Sequence, residues 1–227
     1  MENSGGCYGR SNKRKNRLHG DRKRDCCIHK GKIKIMTKKI MFNDKYCLTR
    51  AVLKGRKTMT RRVLKEGTPL GNWGETARHL PYKVGDIVAI AQSYEVVYAE
   101  RIADFIRHNY HFPREDAAEK FKKVYENCAG WKNKMFVKAD LMPHHIRITD
   151  IKVERLQDIS DEDIMREGVW QLYDNELFYV SKNIGYAPTV AFQSAREAFW
   201  YLIDKVSGKG TWESNPWVVA YSFELVD

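Results

Sequence analysis

The chain has 227 residues, of which 43% are hydrophobic and 12% aromatic, enough apolar material for the core of one sizeable domain. It carries 40 Lys and Arg against 29 Asp and Glu, a formal net charge of +11. Because it has no apolar run of about 18 residues and its start lacks an apolar signal core, we expect neither a membrane span nor a secretory signal, and we predict a cytoplasmic protein.

The positive charge is concentrated near the start of the chain. Residues 1–35 hold 11 Lys or Arg against 3 Asp or Glu (net +8), whereas the rest of the chain holds 29 against 26 (net +3). Almost no apolar periodicity accompanies this charge, so residues 1–35 are predicted to be a disordered basic extension and residues 36–227 the folded domain. A nucleic-acid-binding arm is the functional alternative for the extension.

The cysteines are odd in number and unevenly spaced. They are Cys7, Cys26, Cys27, Cys47 and Cys128. In a chain of this size, the pattern predicts reduced thiols and not a disulfide framework. The adjacent pair of cysteines with His29 fits no common zinc spacing, so we predict no metal site and no cofactor.

The first elements of the domain are predicted from caps and turn residues. Asn43 or Asp44 can cap a short helix over about Lys45–Lys54. A strand then covers residues 58–64, with Lys57 at the bend between helix and strand. The helix and the strand therefore meet within one short basic stretch.

The middle of the chain is predicted to contain a helical insertion. Residues 65–82 are rich in Gly and Pro and indicate a loop, after which a turn at Lys83–Asp86 leads into an apolar strand. The charged stretch 99–127 has a helical pattern that Pro113 interrupts. We place the insertion at about residues 99–130.

The next segments alternate between strand and helix signals. Residues 134–141 and 144–156 are strand-like, with a bulge or register change at Asp150. The spacing from Ser160 to Asp163 is that of a capping box, and it opens a short helix that ends at Glu167–Gly168.

The last third of the chain completes an α+β pattern. Residues 170–180 indicate a hairpin or an ordered loop, Ser194–Glu197 is a second capping box, and residues 215–226 form the final strand. After the second box, an apolar stripe recurs at helical spacing: Ala195, Phe199, Leu202 and Val206. Short strands around a few short helices predict a small mixed β-barrel.

The stretch "GRKTMTRR", residues 55–62, allows three interpretations. Its cations could protect a solvated strand edge from pairing. They could instead form an anion cradle, made by Arg56, Lys57, Arg61 and Arg62. The third interpretation is catalysis by a threonine hydroxyl, which needs a nearby cation and a base because the hydroxyl is a weak nucleophile by itself.

The same stretch carries a resemblance to a known family. "GRKTMTRR", followed by "YKVGDIV" and "RLQDISDEDIMREGV", resembles the ASCH domain family. The closing "GKGTWESNPWVVAYSFELV" is similar to the end of phage and bacterial ASCH proteins. The resemblance covers about residues 40–227. It implies a PUA-like β-barrel with a central cavity, related to RNA-binding domains.

One small bacterial branch of that family consists of amidohydrolases that remove the acetyl group from N4-acetylcytidine. The resemblance implies Lys57, Thr60 and Glu167 as the corresponding catalytic set. Thr60 would attack the amide carbonyl, Lys57 would stabilise the oxyanion, and Glu167 would move protons. Alternatively, Thr60 positions the substrate and Glu167 activates a water; neither scheme needs a metal. Another branch is linked to RNA cleavage, so a ribonuclease is a further alternative.

The residues predicted to bind the substrate are Arg56, Thr58, Arg61, Arg62, Tyr94, Asn215 and Trp217. Tyr94 is expected near the end of a barrel strand, and Trp217 to stack on a base at the cavity mouth. Arg61 departs from the small branch, which has an apolar residue there. The first hypothesis is a binding module for RNA or a modified nucleotide or nucleoside, the alternative is an amidohydrolase, and no oligomeric state is predicted.

Overall fold

The structure, a computed structural model, describes residues 38–108, 116–172, 176–182 and 189–226. The predicted basic extension over residues 1–35 and the predicted break at Pro113 lie outside these ranges. Within these ranges, no helix has the length and apolar content needed to cross a membrane.

The described residues contain strands, α-helices and short 3₁₀ turns. The strands are β1 (Lys39–Ile40), β2 (Met59–Val63), β3 (Ile87–Ile90), β4 (His145–Arg155), β5 (Trp170–Gln171), β6 (Phe178–Ser181), β7 (Thr189–Phe192) and β8 (Trp217–Leu225). The α-helices are α1 (Leu48–Leu53), α2 (Trp73–His79), α3 (Tyr94–His108), α4 (Asp116–Tyr125), α5 (Asp161–Arg166), α6 (Ala195–Ser207) and α7 (Thr211–Ser214). The 3₁₀ turns are Asp44–Tyr46, Lys134–Phe136, Ala139–Leu141 and Leu156–Asp158.

A five-stranded sheet in the order β1-β3-β4-β8-β2 positions the site described below. β1 is parallel to β3, and the other neighbours are antiparallel. The ladder between β4 and β8 shifts register between Ile148 and Asp150, where the sequence predicts an irregularity. A second sheet has the order β5-β6-β7, and its first two strands are the hairpin predicted over residues 170–180.

The predicted α+β class is confirmed, whereas a closed barrel is not shown. β1 and β2 are the two edges of the larger sheet, and no backbone ladder joins them in the described residues. The guanidinium of Arg62, on β2, donates to the carbonyl of Met41, which directly follows β1. A side chain therefore bridges the two edges where backbone pairing is not observed.

The main core includes the buried face of α6. The Ser194 hydroxyl accepts a hydrogen bond from the backbone N–H of Glu197 at 3.2 Å, as the predicted capping box requires. The predicted stripe is also confirmed, since three of its members are buried and the fourth is partly buried: Ala195, Phe199, Leu202 and Val206. Helix α6 thus packs one face against the second sheet and helices α5 and α7, and leaves the other towards solvent.

Three predicted elements are wrong in detail. Residues 65–82, predicted as a loop, contain helix α2, whose N-cap Asn72 accepts from the N–H of Gly74 at 2.8 Å. Cys47 has a left-handed φ of 54° and divides the predicted helix over 45–54 into a 3₁₀ turn and α1. Residues 134–141, predicted as a strand, form two 3₁₀ turns. The side chain of Asn133 accepts from the N–H of Met135 at 2.9 Å, and such local bonds compete with strand pairing.

The predicted helical insertion is present and begins earlier than expected. It consists of α3 and α4, and α3 starts at Tyr94. Tyr94, Val97 and Phe121 belong to a second apolar cluster, separate from the main core. The insertion therefore contributes a small core of its own.

Candidate functional site

The basic stretch 55–62 connects the end of α1 to edge strand β2. Gly55 has a φ of 69°, a left-handed conformation that ends the helix and favours glycine. The N–H of Lys57 then donates to the carbonyl of Ala51 at 3.1 Å, and the strand begins at Met59. This turn leaves Lys57 buried at the start of β2, with 2% of the residue exposed.

Glu167 is placed by the end of α5. The Ser160 hydroxyl accepts from the N–H of Asp163 at 3.2 Å, which confirms the predicted cap of this helix. The carbonyl of Arg166 accepts from the N–H of Thr58 at 2.9 Å, which fixes the end of α5 against the start of β2. Two segments that are 110 residues apart in sequence therefore meet.

Lys57 and Glu167 form a buried ion pair. The Nζ atom of Lys57 donates to Oε2 of Glu167 at 2.6 Å and to the backbone carbonyl of Glu167 at 2.7 Å. Burial lowers the pKa of Lys57 because the interior disfavours the ammonium form, and the charge of Glu167 partly opposes this shift. A lysine amine with a lowered pKa exchanges protons more readily near neutral pH than a surface lysine does.

Arg61 approaches the same carboxylate from its other oxygen. Its Nη1 atom lies 3.2 Å from Oε1 of Glu167, and its side chain is 1% exposed. Its other charged partners are Glu154 and Asp163. Each oxygen of Glu167 therefore contacts a different cation.

The ion pair lines a cavity of about 260 Å³. Thr60 lines it as well, and the Thr60 side chain forms no hydrogen bond in the part of the chain that the structure describes. The apolar part of the wall comes from the chain around α1 and from α6: Phe42, Leu48, Phe199, Leu202 and Ile203. The structure thus brings Lys57, Thr60 and Glu167 to one cavity, as expected, while their catalytic roles stay predictions.

The other predicted binding residues of the basic stretch differ in position. Arg62 lines the cavity and also donates to the Met41 carbonyl. Thr58 is half-buried, with its hydroxyl 3.4 Å from Nε of Arg166. Arg56 is exposed at the turn. Of the four cations in this stretch, Lys57 and Arg61 are buried, whereas Arg56 and Arg62 are at least partly exposed.

Tyr94 does not line this cavity. It follows the end of β3 by four residues and begins helix α3. Its hydroxyl accepts from the N–H of Lys138 at 2.9 Å, and its ring packs edge-to-face on Phe121. These contacts give Tyr94 a place in the second apolar cluster.

Asn215 and Trp217 also lie away from this cavity. Asn215 has a left-handed φ of 42°, and its side chain accepts from the N–H of Gln157 at 2.9 Å. The guanidinium of Arg155 lies 4.6 Å from the ring centroid of Trp217, which lines a separate cavity beside α2. The predicted stacking position of Trp217 at the mouth of the Lys57 cavity is therefore wrong, because the start of β8 faces a different part of the surface.

Two acids next to the site were not predicted. Sequence reasoning assigned Asp163 only to the first turn of α5, and it did not single out Glu154. The available signal was Arg61, which lies two residues after Met59 on the same strand. If an arginine in such a strand is buried, its guanidinium requires counterions.

The described residues contain no candidate metal site. No group of three or more His, Cys, Asp or Glu residues in those ranges is arranged to hold a metal ion. Cys47 and Cys128 are free thiols.

Gly168 permits the close approach of Glu167 to Lys57, and its substitution is a test of that packing. It has a φ of 105°, and a methyl group there would lie 3.3 Å from Cδ2 of Leu48 and 3.6 Å from Cδ of Lys57. We expect Gly168→Ala to lower the free energy of unfolding by about 2–3 kcal/mol, from backbone strain and crowding together.

The matched control is Gly85→Ala, measured by the same urea denaturation. Gly85 has a similar φ of 87° but nothing within 4 Å of its methyl position, so it reports the backbone strain alone. Equal losses in the two variants would contradict a tightly packed site.

No protein-family model, curated protein or solved structure matches this chain. The resemblance to ASCH domains therefore rests on the sequence motifs and stays a hypothesis.

Proposed function

We propose that this protein is an amidohydrolase that removes the acyl group from N4-acetylcytidine or a similar acylated nucleoside. The observation that carries the proposal is the buried Lys57–Glu167 pair, joined at 2.6 Å, on a cavity that also receives Thr60. This set supplies a proton-exchanging amine, a carboxylate and a hydroxyl within one cavity. In this proposal, the binding of RNA or a nucleotide that the ASCH resemblance implies is the step that captures the substrate.

The cavity favours a small substrate. Its volume of about 260 Å³ lies near the lower end of the usual range for ligand pockets, which is about 300–1,000 Å³. Phe42 and Phe199 line it and offer apolar surface to a planar base. A nucleoside suits this space better than a folded polymer does.

The reaction balances with water as the only co-reactant. In one scheme, the Thr60 oxygen attacks the acyl carbon, the C–N bond breaks, and the amine leaves with a proton supplied through Lys57 and Glu167. Water then cleaves the acyl–threonine ester, which releases the acid and restores Thr60. In the other scheme, water attacks the same carbon directly and Thr60 only positions the carbonyl. The net products are the free amine and acetic acid in both cases.

The anion-cradle interpretation receives less support from these contacts. Lys57 is paired with Glu167, Arg61 contacts three acids, and Arg62 is bonded to a backbone carbonyl. A phosphate inside the cavity would have to displace these partners, which also weakens the case for a ribonuclease. Arg56, which is exposed, is the cation best placed to contact a phosphate at the entrance.

Turnover of N4-acetylcytidine by the full chain tests the proposal. We expect conversion to cytidine, which is measured by chromatography. We expect Lys57→Met to lower kcat by about 10²-fold or more, because the proton-exchanging group is lost. Lys54→Met is the matched control, since Lys54 is exposed three residues earlier in the turn. If the wild-type protein binds RNA but leaves the nucleoside intact for hours, the proposed amidohydrolase activity is refuted.

The two schemes differ in one intermediate. If Thr60 is the nucleophile, rapid quenching should trap a chain that has gained one acetyl group, and Thr60→Ala should not gain it. If water attacks directly, the wild-type mass stays unchanged during turnover.

A further inference from the structure

We infer that Arg61 is a positioning residue for Glu167, and that it does not contact the substrate. The inference rests on the proposed function. The Arg61 side chain carries a full charge and is nevertheless only 1% exposed.

All five N–H donors of the Arg61 guanidinium have acceptors within the protein. Nε and Nη2 both donate to Oε1 of Glu154, at 2.9 and 2.7 Å, and Nη2 also donates to Oδ2 of Asp163 at 2.8 Å. Nη1 donates to Oε1 of Glu167 at 3.2 Å and to the sulfur of Met59 at 3.0 Å. No donor remains for a phosphate or a base edge, so the predicted role of Arg61 in binding substrate is not supported by these contacts.

The contacts hold the Glu167 carboxylate from both sides. Lys57 donates to Oε2 and Arg61 donates to Oε1. Rotation of the carboxylate would therefore break a charged hydrogen bond at each oxygen. Glu154 and Asp163 fix the plane of the guanidinium in turn. Arg61 also lines the cavity. Because all of its N–H donors are bonded within the protein, it acts on the reaction through Glu167 and not through a bond to the substrate.

Two more cations contact the acidic partners of Arg61 from the solvent side. Arg166 contacts Asp163 at 3.1 Å, and Lys152, which is largely exposed, contacts Glu154. Buried ion clusters are often no more stable than apolar side chains of similar volume. Stability alone therefore gives little reason for an arginine here, whereas orientation of a reacting carboxylate does give one.

The decisive variant removes Arg61 together with its principal counterion. Arg61→Ile with Glu154→Leu places an apolar residue at position 61 without leaving Glu154 buried and unpaired. Lys57 still contacts Glu167, and Arg166 still contacts Asp163. The matched control is Arg147→Ile with Glu224→Leu, which removes an exposed Arg–Glu pair (2.7 Å) between β4 and β8 of the same sheet.

We expect the buried double variant to lose about 10–100-fold in kcat for N4-acetylcytidine, as is typical when a supporting residue is removed, with KM nearly unchanged. The loss should fall on kcat and not on KM, because the apolar walls that receive the base are unchanged. The control should keep both kcat and KM. A purely structural role would shift the melting temperature without a selective loss of kcat.

The outcomes separate this inference from the proposed function. If the wild type turns over and the folded double variant matches it in both kcat and KM, the positioning role is refuted and the function stands. If the wild type does not turn over, both fail. Should the double variant not fold, Asp163→Asn replaces it: we expect a loss of about 3–10-fold in kcat, and an unchanged kcat refutes the role.

Discussion

Glu167→Gln should lower kcat for N4-acetylcytidine by about 10²–10⁴-fold, the usual contribution of a positioned general acid–base group. Glutamine keeps the volume of the side chain and an oxygen that can accept from one of the two cations. It cannot exchange a proton with the leaving amine or with water. KM should change much less than kcat, because the apolar walls of the cavity are unaffected.

The control for this variant lies on the same short helix. Glu162→Gln removes an exposed carboxylate from the first turn of α5, and we expect kcat to stay within a factor of about 3, since surface changes of this kind have small effects. Circular dichroism and thermal melting establish that both variants are folded. A Glu167→Gln protein that is folded and retains wild-type kcat would remove Glu167 from the catalytic set.

Phe199→Ala should give the largest loss of stability, about 3–5 kcal/mol in the free energy of unfolding. Phe199 is 2% exposed, belongs to the main core and packs edge-to-face against Trp212 with ring centroids 6.1 Å apart. Its removal enlarges the adjacent cavity and takes away an aromatic contact. Urea denaturation with linear extrapolation measures the loss.

The neighbouring residue provides the control. Trp200 has a larger side chain but is 44% exposed on the other face of α6, so Trp200→Ala should lower the free energy of unfolding by less than about 1 kcal/mol. The larger residue is thus expected to have the smaller effect. Equal losses in the two variants would contradict the assignment of the buried face of α6.

The elements that the sequence predicts well are those set by local signals. The capping boxes at Ser160 and Ser194 open α5 and α6 where expected, because the capping hydrogen bond spans only three residues. The irregularity at Asp150 follows from the alternation of apolar residues along β4. The strand prediction over 134–141 is wrong because Asn133 offers the backbone a local alternative to pairing.

The candidate site depends on two kinds of information. The sequence motif puts Lys57 and Thr60 within one short segment, and the family resemblance points to Glu167. The contacts of Arg61 could not be predicted, because its partners Glu154 and Asp163 come from β4 and α5 and meet it only in the folded chain. The same limit explains why Arg61 was predicted to bind substrate.

The sequence by itself determined the starts of α5 and α6, the periodicity of β4, the α+β class and the basic stretch that begins β2, because each of these depends on residues a few positions apart. The tertiary structure alone decided that Tyr94 lies in a separate apolar cluster, that Trp217 faces another cavity, and that Glu167 lies between Lys57 and Arg61. Periodicity tells which face of an element is buried, but the partner across that face is set by packing between segments that are distant in sequence.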